Sequence, residues 1–150
     1  MTSVASCYID TSALAKWYLP EAGSGEFERF VRALPDPVSS RLVSVELRCL
    51  LARRRREGTL DREGEEGAYA LFLRDVADGH IRVEPMPDHH YAEAVDLLQK
   101  LQTVAPRTLD ALHLAAALGY GVRELATADR AMATAAGALG LEVAFFGAHA

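Results

Sequence analysis

Four acidic residues sit where apolar patterning breaks. Asp10 closes the apolar run "VASCYI" and is followed at once by a Thr-Ser pair. Glu46 lies in "VSVELRC", Asp110 in "TLDALHLAAA" and Asp129 in "LATADRAM". A carboxylate at the end of a buried strand is costly without a partner, and that partner is often a metal. The gaps between the four are long and uneven, so spacing alone carries no ligand geometry. A shared place on a fold would carry it. The plain alternative is helix capping: an acid in a first helical turn gains roughly 0.3–1 kcal/mol from the dipole with no function at all. That reading covers Glu46 or Asp129 taken singly. It fits Asp10 and Asp110 less well, because each interrupts a strongly apolar run. Four converging carboxylates would repel one another without a cation. All-oxygen donors suit Mg²⁺ or Mn²⁺, with water and substrate phosphate completing the shell. Zn²⁺ fits poorly, since no Cys/His pair has ligand spacing.

The elements that would position these acids alternate along the chain. "VASCYI", "PVSS", "IRVEPM", "VRELAT" and "LEVAFF" read as strands. "SALAKWYL" reads as a helix closed by Pro20, and "GEFERFVRAL" as a second, ended by the "PDP" turn. "SVELRCLLARRRREG" is expected to be a helix capped by Ser44 and ended at Gly58. "DREGEEGAYALFLRDVADG" is a helix weakened by Gly64 and Gly67, and "DHHYAEAVDLLQKLQ" one that starts at Asp88. "TLDALHLAAALGYG" reads as an apolar helix capped by Thr108, and "DRAMATAAGALG" as the last. Alternating strands and helices imply a mostly parallel sheet of four to five strands covered on both faces, an α/β/α sandwich. In such sheets the ligand site lies beyond the carboxyl ends of the strands. Acids that carry chemistry should therefore fall at strand C-termini or early in the following helix.

Composition sets outer bounds. The 150 residues suit a single domain spanning 1–150, half of it hydrophobic and a quarter charged. No apolar run approaches the ~20 residues of a membrane span, and "MTSVASCYID" lacks the basic start and apolar core of an export signal. Cys7 and Cys49 read as core filler in a reducing cytoplasm. A net charge of −5 argues against a general nucleic-acid coat protein, though not against an enzyme with a local basic patch.

"YIDTSALAKWY", "SVELRCLLARR", "RTLDALHLAAAL" and "LATADRAM" resemble the signature segments of the PIN-domain family, in the family's order and over nearly the whole chain. More narrowly they resemble the VapC-type toxins of bacterial type II toxin–antitoxin pairs. The resemblance implies a Mg²⁺-dependent endoribonuclease that cuts structured tRNA or rRNA in loops, works in the cytoplasm, dimerises and binds a cognate antitoxin. It carries over an acidic metal site of Asp10, Glu46, Asp110 and Asp129, with Thr127 matching the family's Thr/Ser two residues before the last acid. Asp10 and Asp129 are the expected direct ligands. Glu46 and Asp110 are left open between direct contact, contact through water, and orienting the nucleophile. Thr11 or Ser12 is expected to hydrogen-bond the site or cap its helix.

Other features have competing readings. His113 lies one turn beyond Asp110 and is read as a supporting or packing residue. Arg53–Arg56 form a basic run that is either an RNA contact or a solvated helix end, and Arg48 and Arg107 are comparable RNA-contact candidates nearer the acids. His89 and His90 are expected at the surface. Trp17, Tyr18 and Phe27 are expected in apolar packing and not as a base-stacking platform. A receiver domain would need an acidic pair after its first strand and a Lys near its last. A haloacid-dehalogenase-type phosphatase would need Asp where Ser12 stands. A non-catalytic PIN-like RNA- or protein-binding module is the remaining rival, and such modules tend to lose acids that are all present here.

Overall fold

The computed structural model describes residues 5–148. Twelve elements follow one another: β1 (Cys7–Ile9), α1 (Thr11–Tyr18), α2 (Ser24–Ala33), β2 (Pro37–Ser40), α3 (Leu42–Arg56), α4 (Arg62–Ala77), β3 (Arg82–Glu84), α5 (Asp88–Lys100), α6 (Thr108–Gly119), β4 (Glu124–Thr127), α7 (Arg130–Ala138) and β5 (Glu142–Phe145). Every strand pairing is parallel, in the order β3-β2-β1-β4-β5. The sheet, expected to be mostly parallel with four to five strands, has five and is parallel throughout. The strand expected from Val4 begins at Cys7; Val4 itself lies outside the described residues.

Strand alternation divides the core in two. Cys7 and Ile9 face α1 to α4, where they meet Leu14, Phe27, Leu47, Leu51 and Phe72. Tyr8 points the other way, toward α5 to α7, with Leu97, Leu114, Leu125 and Met132. The helices present matching stripes: Phe27 and Val31 on α2, and Val43, Leu47 and Leu51 on α3, at four-residue spacing. α6 differs, with Ala111 and His113 to Ala117 all buried. Its alanines let this helix sit deep against the sheet. α1 stops at Leu19, which is extended before Pro20.

Two caps differ from the expected ones. α3 begins at Leu42, not at Ser44, whose amide instead bonds Arg41 O at 3.2 Å. Glu46 consequently stands one turn into the helix, clear of its orphan amides. α6 already includes Thr108, and the N-cap position is Arg107, whose amide donates to Asp110 Oδ2 at 3.3 Å. The carboxylate three residues on reaches back to the amide of the N-cap residue, the return half of a capping box, and Thr108 is the first residue of the helix and not its cap. No helix among the described residues is long and apolar enough to cross a membrane.

Candidate active site

β1 is central, with β2 on one side and β4 on the other, so the chain's crossovers reverse direction between β1 and β4. Helices leaving the two strands there diverge and open a crevice beyond their carboxyl ends. Asp10 follows β1 and Asp129 follows β4. The Asp10 amide still bonds Ala126 O at 3.1 Å, so Asp10 is the last rung of the ladder. Glu46 on α3 and Asp110 on α6 complete the walls. All four acids line one cleft of about 770 Å³, together with Thr11, Ser12, Arg107 and His113.

Each acid is held in place. Asp10 is buried, at 3% exposure. Its Oδ1 accepts from the Ala13 amide at 2.9 Å, which caps α1, and from Ser12 Oγ at 2.7 Å; Thr127 Oγ1 donates to Oδ2 at 2.5 Å. Ser12 Oγ also accepts from the Ala128 amide at 2.8 Å, and Thr127 Oγ1 from the Asp129 amide at 3.0 Å. These two hydroxyls tie the ends of β1 and β4 together through the Asp10 carboxylate. Burial pushes the Asp10 carboxyl above its ordinary value, against the opposing effects of His113 and the three hydrogen bonds. Asp129 caps α7 through Met132 N at 3.1 Å. Burial also raises the Asp110 carboxyl, opposed by the Arg107 amide and reinforced by the charge of Asp129.

Glu46 has a different environment. Its Oε1 accepts from Thr11 Oγ1 at 2.9 Å and from His113 Nε2. Burial would raise this carboxyl, but the His113 contact and the Thr11 hydroxyl outweigh it and hold it low. His113 is itself buried, and its Nδ1 lies 2.5 Å from Tyr8 Oη, which donates to Ser40 Oγ at 2.9 Å. A buried chain from Ser40 through Tyr8 and His113 thus ends on Glu46. The donors facing the cleft are carboxylate oxygens, the set that suits Mg²⁺ or Mn²⁺. Among the described residues, no three His, Cys, Asp or Glu side chains are gathered closely enough to cage an ion unaided.

A family model for the PIN domain matches residues 7–138. The chain belongs to the PIN-domain family. Ribonuclease VapC46 of Mycobacterium tuberculosis is 34% identical over 143 residues, covering 93% of this chain and 97% of that protein. Two solved structures share the fold. The Mycobacterium tuberculosis toxin VapC20, described as cleaving the sarcin-ricin loop, superposes with a TM-score of 0.69 at 23% identity, covering 87% of this chain and 95% of that one. FitAcB of Neisseria gonorrhoeae gives 0.65 at 17%, covering 91% and 95%.

In this PIN domain the remaining candidates separate. Arg107 lines the cleft. Arg48 does not; its guanidinium lies 5.1 Å from the Tyr69 ring centre, on the α4 side of α3. His89 is exposed, but His90, also expected at the surface, is buried at 2% exposure against Tyr120 and Gly119. Helical spacing explains it: His90, Ala94 and Leu97 form the inward stripe of α5. Phe27 is core, with Trp17 and Tyr18 packed on it, as expected. Cys7 is buried; Cys49, expected in the core, is exposed on the cleft wall one turn from Glu46. Tyr8 and Ser40 were not legible as site residues. In sequence Tyr8 is one apolar strand residue among several, and only the fold places its hydroxyl under His113.

Proposed function

We propose that this chain is a divalent-metal-dependent endoribonuclease, the toxin of a bacterial type II toxin–antitoxin pair, acting as a single domain on loops of structured RNA such as tRNA or rRNA. The observation that carries this is the meeting of Asp10, Glu46, Asp110 and Asp129 in one cleft at the switch point of a parallel sheet. Likeness to Ribonuclease VapC46 over nearly both chains supports the activity.

In this reading Asp10, Glu46, Asp110 and Asp129 hold Mg²⁺, or Mn²⁺, with Asp10 and Asp129 as direct ligands. An ion held there would neutralise charge at the phosphate and lower the pKa of a water for in-line attack. The open carboxylate cleft suits Mg²⁺, which keeps several waters and takes substrate phosphate as a ligand. Thr127 and Ser12 hold Asp10 in one orientation, and Thr11 and His113 do the same for Glu46. The N-termini of α1 and α7 at this edge favour a phosphate. A cytoplasmic antitoxin partner follows from the toxin reading. An exposed apolar stripe on α5, Tyr91, Val95 and Leu98, supports a homodimer.

The test is incubation of purified protein with total tRNA and rRNA, with Mg²⁺ or EDTA, followed by mapping of new RNA ends. Discrete cuts that need Mg²⁺ and vanish in Asp129→Asn are expected. RNA bound but left whole would instead favour a non-catalytic module.

A further inference from the structure

The four consecutive arginines at the end of α3 do not act alike. Arg54 Nη2 pairs with Glu21 Oε2 at 3.2 Å, and Arg55 Nε pairs with Glu65 Oε2 at 2.6 Å, where Glu65 is buried. Both are spent holding α3 against its neighbours. Arg56 is exposed and outside the cleft. Arg53 lines the cleft and makes no ion pair among the described residues. The reason is helical phase. Arg53 is seven residues beyond Glu46, so it shares that face of α3, about 10 Å further along the axis.

A second arginine stands across from it. Arg107 is at the start of α6, which belongs to the opposite layer of helices. Its side chain is 83% exposed and touches Asp110 only at 4.0 Å, so most of its five N–H donors are unspent. The floor between them carries the four acids, in a chain of net charge −5, so a polyanion needs cations at the rim to enter. Among the described residues no Phe, Tyr or Trp lines the cleft; the apolar lining is Leu50, Leu98, Pro106, Leu109 and Met132. Sequence-tolerant gripping of single strands by stacking needs aromatic faces, which this cleft lacks.

We infer that Arg53 and Arg107 form a two-sided clamp on the substrate backbone, each binding a phosphate flanking the scissile one, and that the cleft holds its strand by phosphates and not by stacked bases. The inference rests on the ribonuclease reading above. Arg107→Ala keeps the backbone amide that Asp110 accepts from, and Arg53 makes no ion pair among the described residues, so both variants should fold.

The test uses Asp129→Asn as a parent that binds without cutting, with a mixed-sequence single-stranded RNA 12-mer as probe and Mg²⁺ present. Binding is measured across a salt series. Adding Arg53→Ala, or Arg107→Ala, should lower the slope of log Kd against log salt by about one each. The loss of affinity should be the same for poly(U) and poly(A) probes. Arg53→Lys should restore most of the slope, and Arg56→Ala should change nothing. An unchanged slope in Arg53→Ala, or an equal drop in Arg56→Ala, overturns the clamp. Wild-type cleavage of rRNA is assayed in parallel. Cleavage with an unchanged Arg53→Ala slope sinks the clamp alone, whereas no cleavage and no RNA binding by the parent sinks the ribonuclease reading and the clamp with it.

Discussion

Asp10 accepts three hydrogen bonds in a pocket that hides it from water, and its carboxyl nevertheless stays above the ordinary range because burial dominates. Below the unfolded value of about 3.9 both states are protonated and its contribution is complete. As pH rises through the raised folded value, the unfolded chain ionises first and that contribution is lost. Asp110 acts in the same direction. Glu46 acts oppositely: its contribution is present above about 4.3 and is lost as pH falls through its lowered folded value. Asp10→Asn keeps the shape and an acceptor for Ala13 while removing the charge. In EDTA it should melt above wild type at pH 7, by on the order of 1 kcal/mol or ~2–4 °C, and the advantage should shrink toward pH 4. Its Mg²⁺-induced rise in melting temperature should be much smaller than wild type's, and RNA cleavage should disappear. A variant that melts well below wild type in EDTA and keeps the full Mg²⁺ response would make Asp10 a structural residue. Tyr8→Phe probes the other buried chain. It leaves the ring and removes the hydroxyl that meets His113 Nδ1 and Ser40. The expected cost is about 1–3 kcal/mol by urea unfolding, from one unpaired buried nitrogen. The cleavage rate should fall roughly 10–100-fold with RNA affinity unchanged, since Glu46 loses the support behind its partner. Wild-type rates would show that Glu46 needs no such support.

At the scale of elements, the α5–α6 pair carries the wall that holds Asp110. Gly119 on α6 is there because His90 of α5 leaves no room: a Cβ at Gly119 would lie 2.3 Å from the imidazole Nε2. Gly119→Ala should destabilise by about 1–3 kcal/mol despite better helix propensity. Combined with His90→Ala, which empties that space, the substitution should cost much less. A double-mutant cycle in urea reads the coupling directly, and additive effects would dismiss the clash. α3 and α4 are joined differently, by Arg55 on the buried Glu65. Arg55→Ala strands a carboxylate and should lower stability measurably, while Arg56→Ala should sit within about 0.5 kcal/mol of wild type. Equal stability of the two variants would mean that the Arg55 pair holds nothing.

For the whole molecule, the stripe of Tyr91, Val95 and Leu98 runs along α5 at helical spacing, and Leu98 also reaches the cleft. A dimer through this face would border the site. Light scattering at micromolar concentration should give twice the monomer mass, and Val95→Asp should shift it toward the monomer. A strict wild-type monomer counts against this surface, and a Val95→Asp dimer moves the interface elsewhere.

Strand-and-helix alternation, the apolar runs and the acids at their ends were written in local patterns, so the parallel sandwich could be read from residues alone, and the four acids could be picked out as candidates for one site. Boundaries moved where capping chemistry competed: Ser44 and Thr108 are good caps by type, but α3 begins two residues before Ser44 and α6 takes Thr108 as its first helical residue. Which residues stand beside the acids was a different question. The Tyr8 hydroxyl reaches His113 across 105 positions of chain, and Thr127 reaches Asp10 across 117. No periodicity encodes such meetings. Asp10 itself showed only that a carboxylate closed a strand; its hydroxyl partners depended on β4 lying beside β1. The arginine run shows the limit most directly. Four identical side chains have one composition and one local pattern, yet helical phase and the positions of Glu21 and Glu65 give them separate surroundings. Sequence determines the chemistry each residue brings, whereas proximity between distant residues exists only after the sheet orders its strands and the helices pack on it.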